Sequence, residues 1–497
     1  HQFKNKKLIY KIIQGIIFLY QKNIKNISIP HAIFYYLKPK VAVVKTKLGS
    51  PQLYANVISI KQSTTILKLG KRKDKLMLEK NFILIVIGQI ISLFGNAILR
   101  FALPLYLLNE TNSAMLFGLV SACSFIPMIL LSPIGGMIAD RINKRNIMVA
   151  LDFLTAIITL LFTLYFSQIN LTVIILVMLT LLYGIQAAYQ PAVQASIPLL
   201  MSKENLIKGN AIINLVSSLA SLSGPIAGGA VFGFFGIYPI LYISIPCFVF
   251  SAIMELFIKI PYKQRTASTS IIATFKMDLK ESLDFIRNER PVIWKLSIAA
   301  ASVNLFFSSL IIIALPVIIT QTLGFPVITG NQLYGYAQGA LAAGSLLGGL
   351  LAGILSKIIL PRHQYLLLIL SSLSLLPIAA VLLFAPPAMV IYYVIIICCF
   401  IMITLSSLFS IIMLSYLQML TPEHMLGKVT SCVMCICMCS QPIGQAVYGL
   451  LIEQFKNQMA FIFIAAFIIT TLIASSCKKI FHEIYQALHV SNNNNIP

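Results

Sequence analysis

Residues 388–412 read AMVIYYVIIICCFIMITLSSLFSII, a run of 25 residues without a charged side chain. A helix of about 20 apolar residues crosses the hydrocarbon core of a bilayer, where lipid offers the backbone no hydrogen-bond partners. This run therefore predicts a transmembrane helix. The whole chain of 497 residues has the same character, since 58% of its residues are hydrophobic and 10% are charged. That composition excludes both a soluble enzyme with a single core and a disordered protein.

Eleven further apolar segments of similar length lie between residues 82 and 477. Residues 260–291 are polar and charged, and they leave six segments on each side. We therefore predict an all-α polytopic membrane protein with twelve transmembrane helices in two pseudo-symmetric six-helix bundles. The predicted parts are an N-terminal extension at 1–80, a bundle at 81–259, a cytoplasmic linker at 260–291, a second bundle at 292–477 and a cytoplasmic tail at 478–497.

The two halves of the chain resemble each other. GGMIAD at 135–140, at the end of the second segment, corresponds to GGLLAG at 348–353, at the end of the eighth. SKENL at 202–206 and TPEHM at 421–425 occupy matching positions after the fourth and tenth segments. Duplicated bundles of this kind place a substrate site between the halves, near the middle of the membrane.

The formal net charge of +23 is distributed unevenly. Residues 1–80 hold 17 lysines and arginines against 2 acidic residues. This extension has three open interpretations: translated sequence outside the natural protein, a disordered basic arm near anionic lipid, or a targeting segment. In the remaining loops, 18 cationic residues fall on one face of the membrane and only Lys456 on the other. This bias predicts a multi-pass protein of the cell membrane with both termini cytoplasmic, and it needs no nucleic-acid partner.

Polar side chains within the apolar segments are candidates for a substrate cavity or for ion coupling, because charge is costly in lipid. In the first segment Gln89, Ser92, Asn96 and Arg100 share one helical face. Two alternatives stay open for Arg100, either a water-filled cavity or extension to the membrane surface. The other candidates are Asp152, Tyr183, Gln186, Asn214 and Asn304.

Two acidic residues in these segments have alternative interpretations. Asp152 either pairs with an arginine of the loop before it, which we favour, or titrates and couples protons. For Glu255 the alternatives are a coupling site and an ion pair at the membrane surface with Lys259, four residues later, and we expect the ion pair. Cys432, Cys435 and Cys439 share a helical face but lie in an apolar segment without the paired knuckles of a zinc site, so we predict packing between helices and no metal.

The loop at 136–145 reads GMIADRINKR. It resembles the G-x-x-x-D-R-x-G-R-K/R signature of major facilitator superfamily transporters, with Asn143 in place of the second glycine. Asn143 is a tolerable change because asparagine accepts left-handed backbone angles. The resemblance implies a cytoplasmic gate formed by Gly136, Asp140, Arg141, Lys144 and Arg145.

A second motif, GPIAGG at 224–229, is similar to the helix-bending element of antiporters in this superfamily. Its residues are Gly224, Pro225, Gly228 and Gly229. LPLYLL at 103–108, SIPLL at 196–200 and QPIG at 441–444 also resemble the branch of macrolide-efflux-like and enterobactin-exporter-like permeases.

The branch implies export of amphipathic small molecules in exchange for protons. We predict that the protein works by alternating access, as a monomer without a cofactor. An uptake permease or facilitator for a small metabolite is the alternative. Relatives often carry an arginine in the fourth segment, where this chain has LLYG at 181–184, so their proton-coupling scheme does not transfer directly. Phosphate-binding, metal and nucleophile motifs are missing from the sequence, which argues against pumping driven by ATP. An enzyme within the membrane would need a converging acid–base or metal pair, and only Arg100, Asp152 and Glu255 are charged deep inside the segments, so we do not expect an enzyme.

Overall fold

A computed structural model describes residues 51–201, 206–260, 271–355, 361–422 and 425–493. The chain divides into two units, His1–Lys75 and Leu76–Pro497. Within the described residues, twelve helical segments are long and apolar enough to cross a membrane, and all of them lie in the second unit. The described residues contain no β-strand. The predicted all-helical class with twelve spans is confirmed.

Six helices form the N-terminal half. They are α1 (Pro51–Thr111), α2 (Ala114–Arg141), α3 (Lys144–Tyr165), α4 (Leu171–Leu200), α5 (Leu206–Phe235) and α6 (Ile237–Leu256). Their ends follow local chemistry. Ser113, which precedes α2, accepts a hydrogen bond from the Leu116 backbone N–H at 3.2 Å, and Asn170 does the same for Thr172 at 3.0 Å before α4. Such side-chain caps satisfy N–H groups that a helix leaves without partners.

The charged segment between the halves contains α7 (Ile271–Asp284) and a π-helical turn at Phe285–Glu289. The seventh span consists of α8 (Pro291–Val303), a π-turn at Asn304–Ser308, α9 (Ser309–Val317) and a second π-turn at Ile318–Thr322. The remaining helices are α10 (Val327–Leu355), α11 (Tyr365–Leu373), α12 (Leu375–Phe384), α13 (Ala388–Leu420), α14 (Leu426–Gln454) and α15 (Met459–Asn493). The pair α11 and α12 forms the ninth span.

Large apolar side chains cover the outside of the helices as well as the interior. Leu350 is 70% exposed and Phe250 is 52% exposed, whereas Phe248, two residues away, is fully buried. A soluble monomer rarely exposes a contiguous apolar surface of this kind, but a bilayer solvates it. The exposed residues therefore mark the faces that contact lipid.

The sequence repeat corresponds to a repeated helix crossing. Gly135 of α2 lies against the backbone of Ala187 in α4, and Gly348 of α10 lies against the carbonyl of Thr404 in α13. A side chain at either glycine would collide with the opposing backbone. Small residues permit such close crossings of membrane helices. The two halves thus use equivalent glycines at equivalent crossings, as expected for two related six-helix bundles.

The two halves meet through a second pair of glycine crossings. A Cβ atom on Gly118 of α2 would lie 2.9 Å from the Cα of Gly449 in α14. A Cβ atom on Gly229 of α5 would lie 2.9 Å from the Cα of Gly335 in α10. Both crossings lie towards the membrane face that carries the connections between the first and second, fifth and sixth, seventh and eighth, and eleventh and twelfth spans. We call this face the closed end.

Candidate transport cavity

Hydrogen bonds between the halves seal the closed end. Asn109 donates to Asn331 at 2.9 Å, and Gln321 donates to the Leu108 carbonyl at 3.2 Å. Glu453 accepts from the Ser113 hydroxyl and from the Met115 backbone N–H, each at 3.2 Å. All of these hydrogen bonds lie at the same end of the protein. The opposite end is therefore the one that can open without breaking them.

A narrow cavity lies inside the N-terminal bundle, between α1, α3 and α4. Its polar lining groups are Ser92, Asn96, Asp152, Thr155, Gln186, Tyr189 and Gln190, and its apolar ones are Leu93, Leu182 and Ile185. Three of the predicted cavity residues, Asn96, Asp152 and Gln186, thus share one wall. Their convergence arises because the polar face of α1 turns inwards, as its spacing predicts.

Arg100 lies beside this cavity and turns towards α4. Its Nη2 donates to the Leu182 carbonyl at 3.0 Å, and its guanidinium carbon lies 4.1 Å from the centre of the Tyr183 ring. The Tyr183 ring makes an edge contact with Phe125 at 5.3 Å between centroids. The buried Nε of Arg100 has no hydrogen-bond partner. The guanidinium is thus directed to the interior of the bundle and not to the membrane surface.

Asp152 is buried and faces α1. Its Oδ1 accepts a hydrogen bond from the Ser92 hydroxyl at 2.9 Å, and its Oδ2 has no hydrogen-bond partner. Within the described part of the chain Asp152 forms no ion pair with an arginine. The pairing favoured from the sequence is therefore not made with Arg145, whose side chain the structure describes.

Glu255 is completely buried, although the sequence suggested a position at the membrane surface. Its Oε1 accepts a hydrogen bond from the Tyr189 hydroxyl at 2.7 Å, and that hydroxyl accepts one from the Gln89 amide, also at 2.7 Å. The expected ion pair between Glu255 and Lys259 was wrong, because the lysine side chain is exposed while the carboxylate turns inwards. In the sequence, Ser251 lies one helical turn before Glu255, and this spacing could have indicated that α6 has a polar face directed inwards.

Two predicted cavity residues lie elsewhere. Asn214 is exposed on α5 and forms no hydrogen bond with another described residue. Asn304 lies in a π-turn of the seventh span, where its amide donates to the Cys437 carbonyl at 3.2 Å and its oxygen accepts from Ser308 at 3.3 Å. The structure thus joins Asn304 to a neighbouring helix of the C-terminal half.

The gate residues are described only in part. Gly136, Asp140 and Arg141 end α2, and their side chains lie outside the described residues. Lys144 and Arg145 begin α3, and Asn143 caps this helix by accepting from the Arg145 backbone N–H at 3.1 Å. Asn143 has φ −61°, so the expectation of a left-handed backbone was wrong. Asparagine is used here because its side chain can cap a helix, which glycine cannot do.

The GPIAGG motif of α5 permits two close helix crossings. A Cβ atom on Gly224 would collide with Ala97 of α1, and one on Gly228 would lie 3.0 Å from the Phe101 ring. Gly229 crosses α10, and a Cβ atom on Gly335 of that helix would lie 2.7 Å from the Pro225 carbonyl oxygen. The motif therefore joins the first span, the fifth span and the other half of the chain.

The cysteines of α14 are free thiols. Among the residues that the structure describes, no group of three or more His, Cys, Asp or Glu side chains is placed to hold a metal ion. Cys432 and Cys437 are buried in the apolar interior of the C-terminal half.

Comparison with known proteins identifies the family. A sequence profile of the Major Facilitator Superfamily matches residues 85–445, which is most of the chain. The chain belongs to the Major Facilitator Superfamily. It is a multi-pass membrane transporter and not an enzyme, and its characterised relatives imply a small-molecule substrate.

Two relatives of this transporter are named after different transported compounds. Macrolide efflux protein A of Streptococcus pyogenes is 24% identical over 301 residues, covering 59% of this chain and 70% of the relative. The staphyloferrin A transporter of Staphylococcus aureus is 25% identical over 278 residues, covering 54% and 64%.

Solved structures show the same fold at low identity. A bacterial homologue of the iron transporter ferroportin, in its inward-facing state, aligns with a TM-score of 0.62 and 16% identity, covering 80% of this chain and 98% of its own. The nucleoside transporter NupG aligns with a TM-score of 0.64 and 13% identity, covering 82% and 100%.

Proposed function

We propose that this transporter is a secondary exporter of amphipathic small molecules that works by alternating access in exchange for protons. The observation that carries the proposal is the wall formed by α1, α3 and α4, where Arg100 and Tyr183 lie beside polar and aliphatic groups. The cavity at this wall holds about 10 Å³ in this state, so the binding of a substrate there requires the helices to move apart. Binding sites for amphipathic molecules combine apolar walls with a few fixed polar groups. The likeness to macrolide efflux protein A supports both the substrate class and the direction of transport.

Orientation in the membrane follows from the loop charges. If the cationic loops are cytoplasmic, the closed end faces outwards and carries Lys456, the single cation of the outer loops. The hydrogen bonds of Asn109 and Gln321 then seal the outer side, and the cavity is reached from the cytoplasm. An exporter loads its substrate in this state. We place the protein in the cell membrane as a monomer with both termini cytoplasmic and no cofactor.

The residues at 136–145 are proposed to gate the cytoplasmic side. Lys144 and Arg145 stand at the start of α3, at the end opposite the closed end. When the halves rock to open outwards, these cations would approach the other half and replace the bonds lost at the closed end. Gly224, Pro225, Gly228 and Gly229 are proposed to keep α5 bent and close to its neighbours during this motion.

A transport assay tests the proposal. Everted membrane vesicles that contain the full chain and an imposed pH gradient, acid inside, are expected to accumulate radiolabelled erythromycin as a representative macrolide. Arg100→Ala removes the cation above Tyr183, and we expect at least a tenfold loss of uptake, equivalent to about 1.4 kcal/mol. Arg362→Ala is the matched control, because Arg362 is an exposed arginine outside the cavity that contacts Tyr485.

The same vesicles distinguish the alternative function. Accumulation by vesicles of the opposite orientation, and not by everted ones, would establish an uptake permease. An equal loss in both arginine variants would show that the effect does not arise from the cavity. Uptake unaffected by Arg100→Ala across a panel of amphipathic compounds would refute the cavity as the substrate site.

A further inference from the structure

Four helices bring together a buried polar cluster that shares Ser92, Asp152 and Tyr189 with the cavity and extends behind it to α6. Gln89 and Ser92 come from α1, Asp152 from α3, Tyr189 from α4, and Ser251 and Glu255 from α6. Each of these side chains is at most 5% exposed. The cluster is held in place from α6 by Ser251, whose hydroxyl donates to the Gly88 carbonyl at 3.0 Å.

Two carboxyl groups of the cluster are incompletely paired. Asp152 is joined to Ser92 through one oxygen, and Glu255 is joined to Tyr189 through one oxygen, at 2.9 Å and 2.7 Å. The second oxygen of each carboxyl group has no hydrogen-bond partner, and neither has the side-chain oxygen of Gln89. A buried polar atom without a partner costs about 1–3 kcal/mol, and more when it is charged. The unpaired oxygens therefore point to something that the cluster binds.

Within the part of the chain that the structure describes, no cation pairs with the two acids of the cluster. Arg100, on α1, is eight residues from Ser92, about 12 Å along the helix, and it is engaged with α4. Arg145 lies two turns before Asp152 on α3, and Lys259 lies one turn after Glu255 with an exposed side chain. The α4 residues that face Asp152, which are Gln186, Tyr189 and Gln190, carry no positive charge.

From this arrangement we infer that Asp152, bonded to Ser92, and Glu255, bonded to Tyr189, form the proton-binding site of the transporter. Two buried carboxylates that lack a cation cannot both stay ionised, because each raises the electrostatic cost of the other and both have lost their hydration. At least one of them therefore holds a proton when the cluster is closed off from water. The inference rests on the proposed exchange of substrate for protons, and it names where that proton binds.

The hydrogen bonds of the cluster favour a proton over a metal ion. The hydroxyls of Ser92 and Tyr189 donate hydrogen bonds to the carboxyl groups. The hydrogen of each hydroxyl therefore lies between its oxygen and the carboxyl oxygen. The Gln89 amide also presents an N–H to Tyr189. A sodium or divalent ion needs several oxygen lone pairs that converge on one point. A proton needs a single unpaired carboxyl oxygen, and the cluster offers one on each acid.

The placement of the two acids suggests a path. Asp152 lines the cavity, whereas Glu255 lies behind Tyr189 and is not part of the lining. Asp152 is therefore the group that exchanges a proton with water in the cavity. A hydronium ion from the outer side gives its proton to a carboxylate oxygen, forming an O–H bond and leaving water. On the cytoplasmic side the O–H bond breaks and the proton returns to water as substrate enters beside Asp152.

A transport measurement on proteoliposomes tests this site with the full chain. One proton exchanged for a neutral solute across a gradient of one pH unit sustains about a tenfold concentration ratio. We expect the wild type to concentrate chloramphenicol, an uncharged amphipathic compound that a pH gradient does not trap by itself, under this gradient. Asp152→Asn and Glu255→Gln are expected to let chloramphenicol equilibrate to a ratio near one without concentrating it. Glu110→Gln is the control, because Glu110 is an exposed carboxylate at the end of α1, and it should behave as the wild type.

A second measurement does not depend on the substrate. Infrared difference spectra of the purified full chain between acid and alkaline pH are expected to show the C=O band of a protonated buried carboxyl group. The band should be lost when Asp152→Asn and Glu255→Gln are combined, and kept in Glu110→Gln. Tyr189→Phe retains the ring and removes the hydroxyl that donates to Glu255, so it should shift the frequency of the carboxyl band. This single variant provides a readout if the double variant does not fold.

The outcomes separate the two proposals. A carboxyl band that the double substitution removes supports the proton site even if the wild type moves neither chloramphenicol nor erythromycin, in which case the substrate proposal alone fails. The site is refuted if Asp152→Asn and Glu255→Gln still concentrate substrate tenfold. It is also refuted if the double substitution leaves the band unchanged, or if a sodium gradient replaces the pH gradient in the wild type.

Discussion

Replacing Gly229 with alanine should weaken the closed end of this transporter. The added Cβ atom would lie 2.9 Å from the Cα of Gly335 and 2.9 Å from the Asn331 carbonyl oxygen, both of them backbone atoms of α10. Contacts this short force the two helices apart. Overpacking of this kind costs about 1–3 kcal/mol. Only the closed state suffers the cost, because the halves separate here when the outer side opens, so the ratio of closed to open molecules should fall roughly 5- to 150-fold.

Gly353→Ala is the matched control for this change. Gly353 lies in α10, and a Cβ atom there would have no neighbour within 4 Å. Alanine is favoured over glycine in a helix by about 1 kcal/mol. This gain is common to both substitutions, so the difference between the two variants reports the steric contact alone.

Spin-label distances across the closed end provide the assay. The exposed native cysteines Cys123 and Cys439 are first replaced with serine. Spin labels are then attached to cysteines introduced in place of Glu110 and Val327, two exposed residues, and the distance between the labels reports the separation of the two halves. We expect Gly229→Ala to add a population with a longer distance, and Gly353→Ala to retain the wild-type distribution. Identical distributions in all three proteins would refute the argument that this crossing holds the outer side shut.

Three other predictions concern helix crossings, caps and orientation. Gly135→Ala should lower the thermal midpoint of the purified protein, because the Cβ atom would collide with the backbone of Ala187, and a loss of about 1–3 kcal/mol is expected relative to Gly353→Ala. Asn143→Ala should cost about 1 kcal/mol by removing the cap of α3, whereas Asn143→Gly should cost only a few tenths, a difference that thermal melting can measure. In intact cells an impermeant amine reagent should label Lys456, and protection of this lysine would reverse the proposed orientation.

Much of the fold could be predicted from the sequence because membrane spans are encoded locally. The composition of a run such as 388–412 is enough to predict a membrane-spanning helix. The charged residues of 260–291 likewise mark the boundary between the halves, and no tertiary contact is needed to find it. The glycines at 135 and 348 lie in matching sequence motifs, so the sequence repeat alone indicates the duplication. The inward direction of Arg100 followed in part from its spacing with Gln89, Ser92 and Asn96, since a helical face is a local property.

The sequence by itself determined the number of spans, the family resemblance and the polar face of α1. The tertiary structure alone decided that Glu255 turns away from Lys259 towards Tyr189, 66 residues earlier, and that Ser92 meets Asp152 across 60 residues. It also paired Gly229 with Gly335 between the halves. Periodicity shows which residues share a face, but the neighbour of that face depends on how twelve helices pack. For that reason the acids were visible in the sequence while their shared site was not.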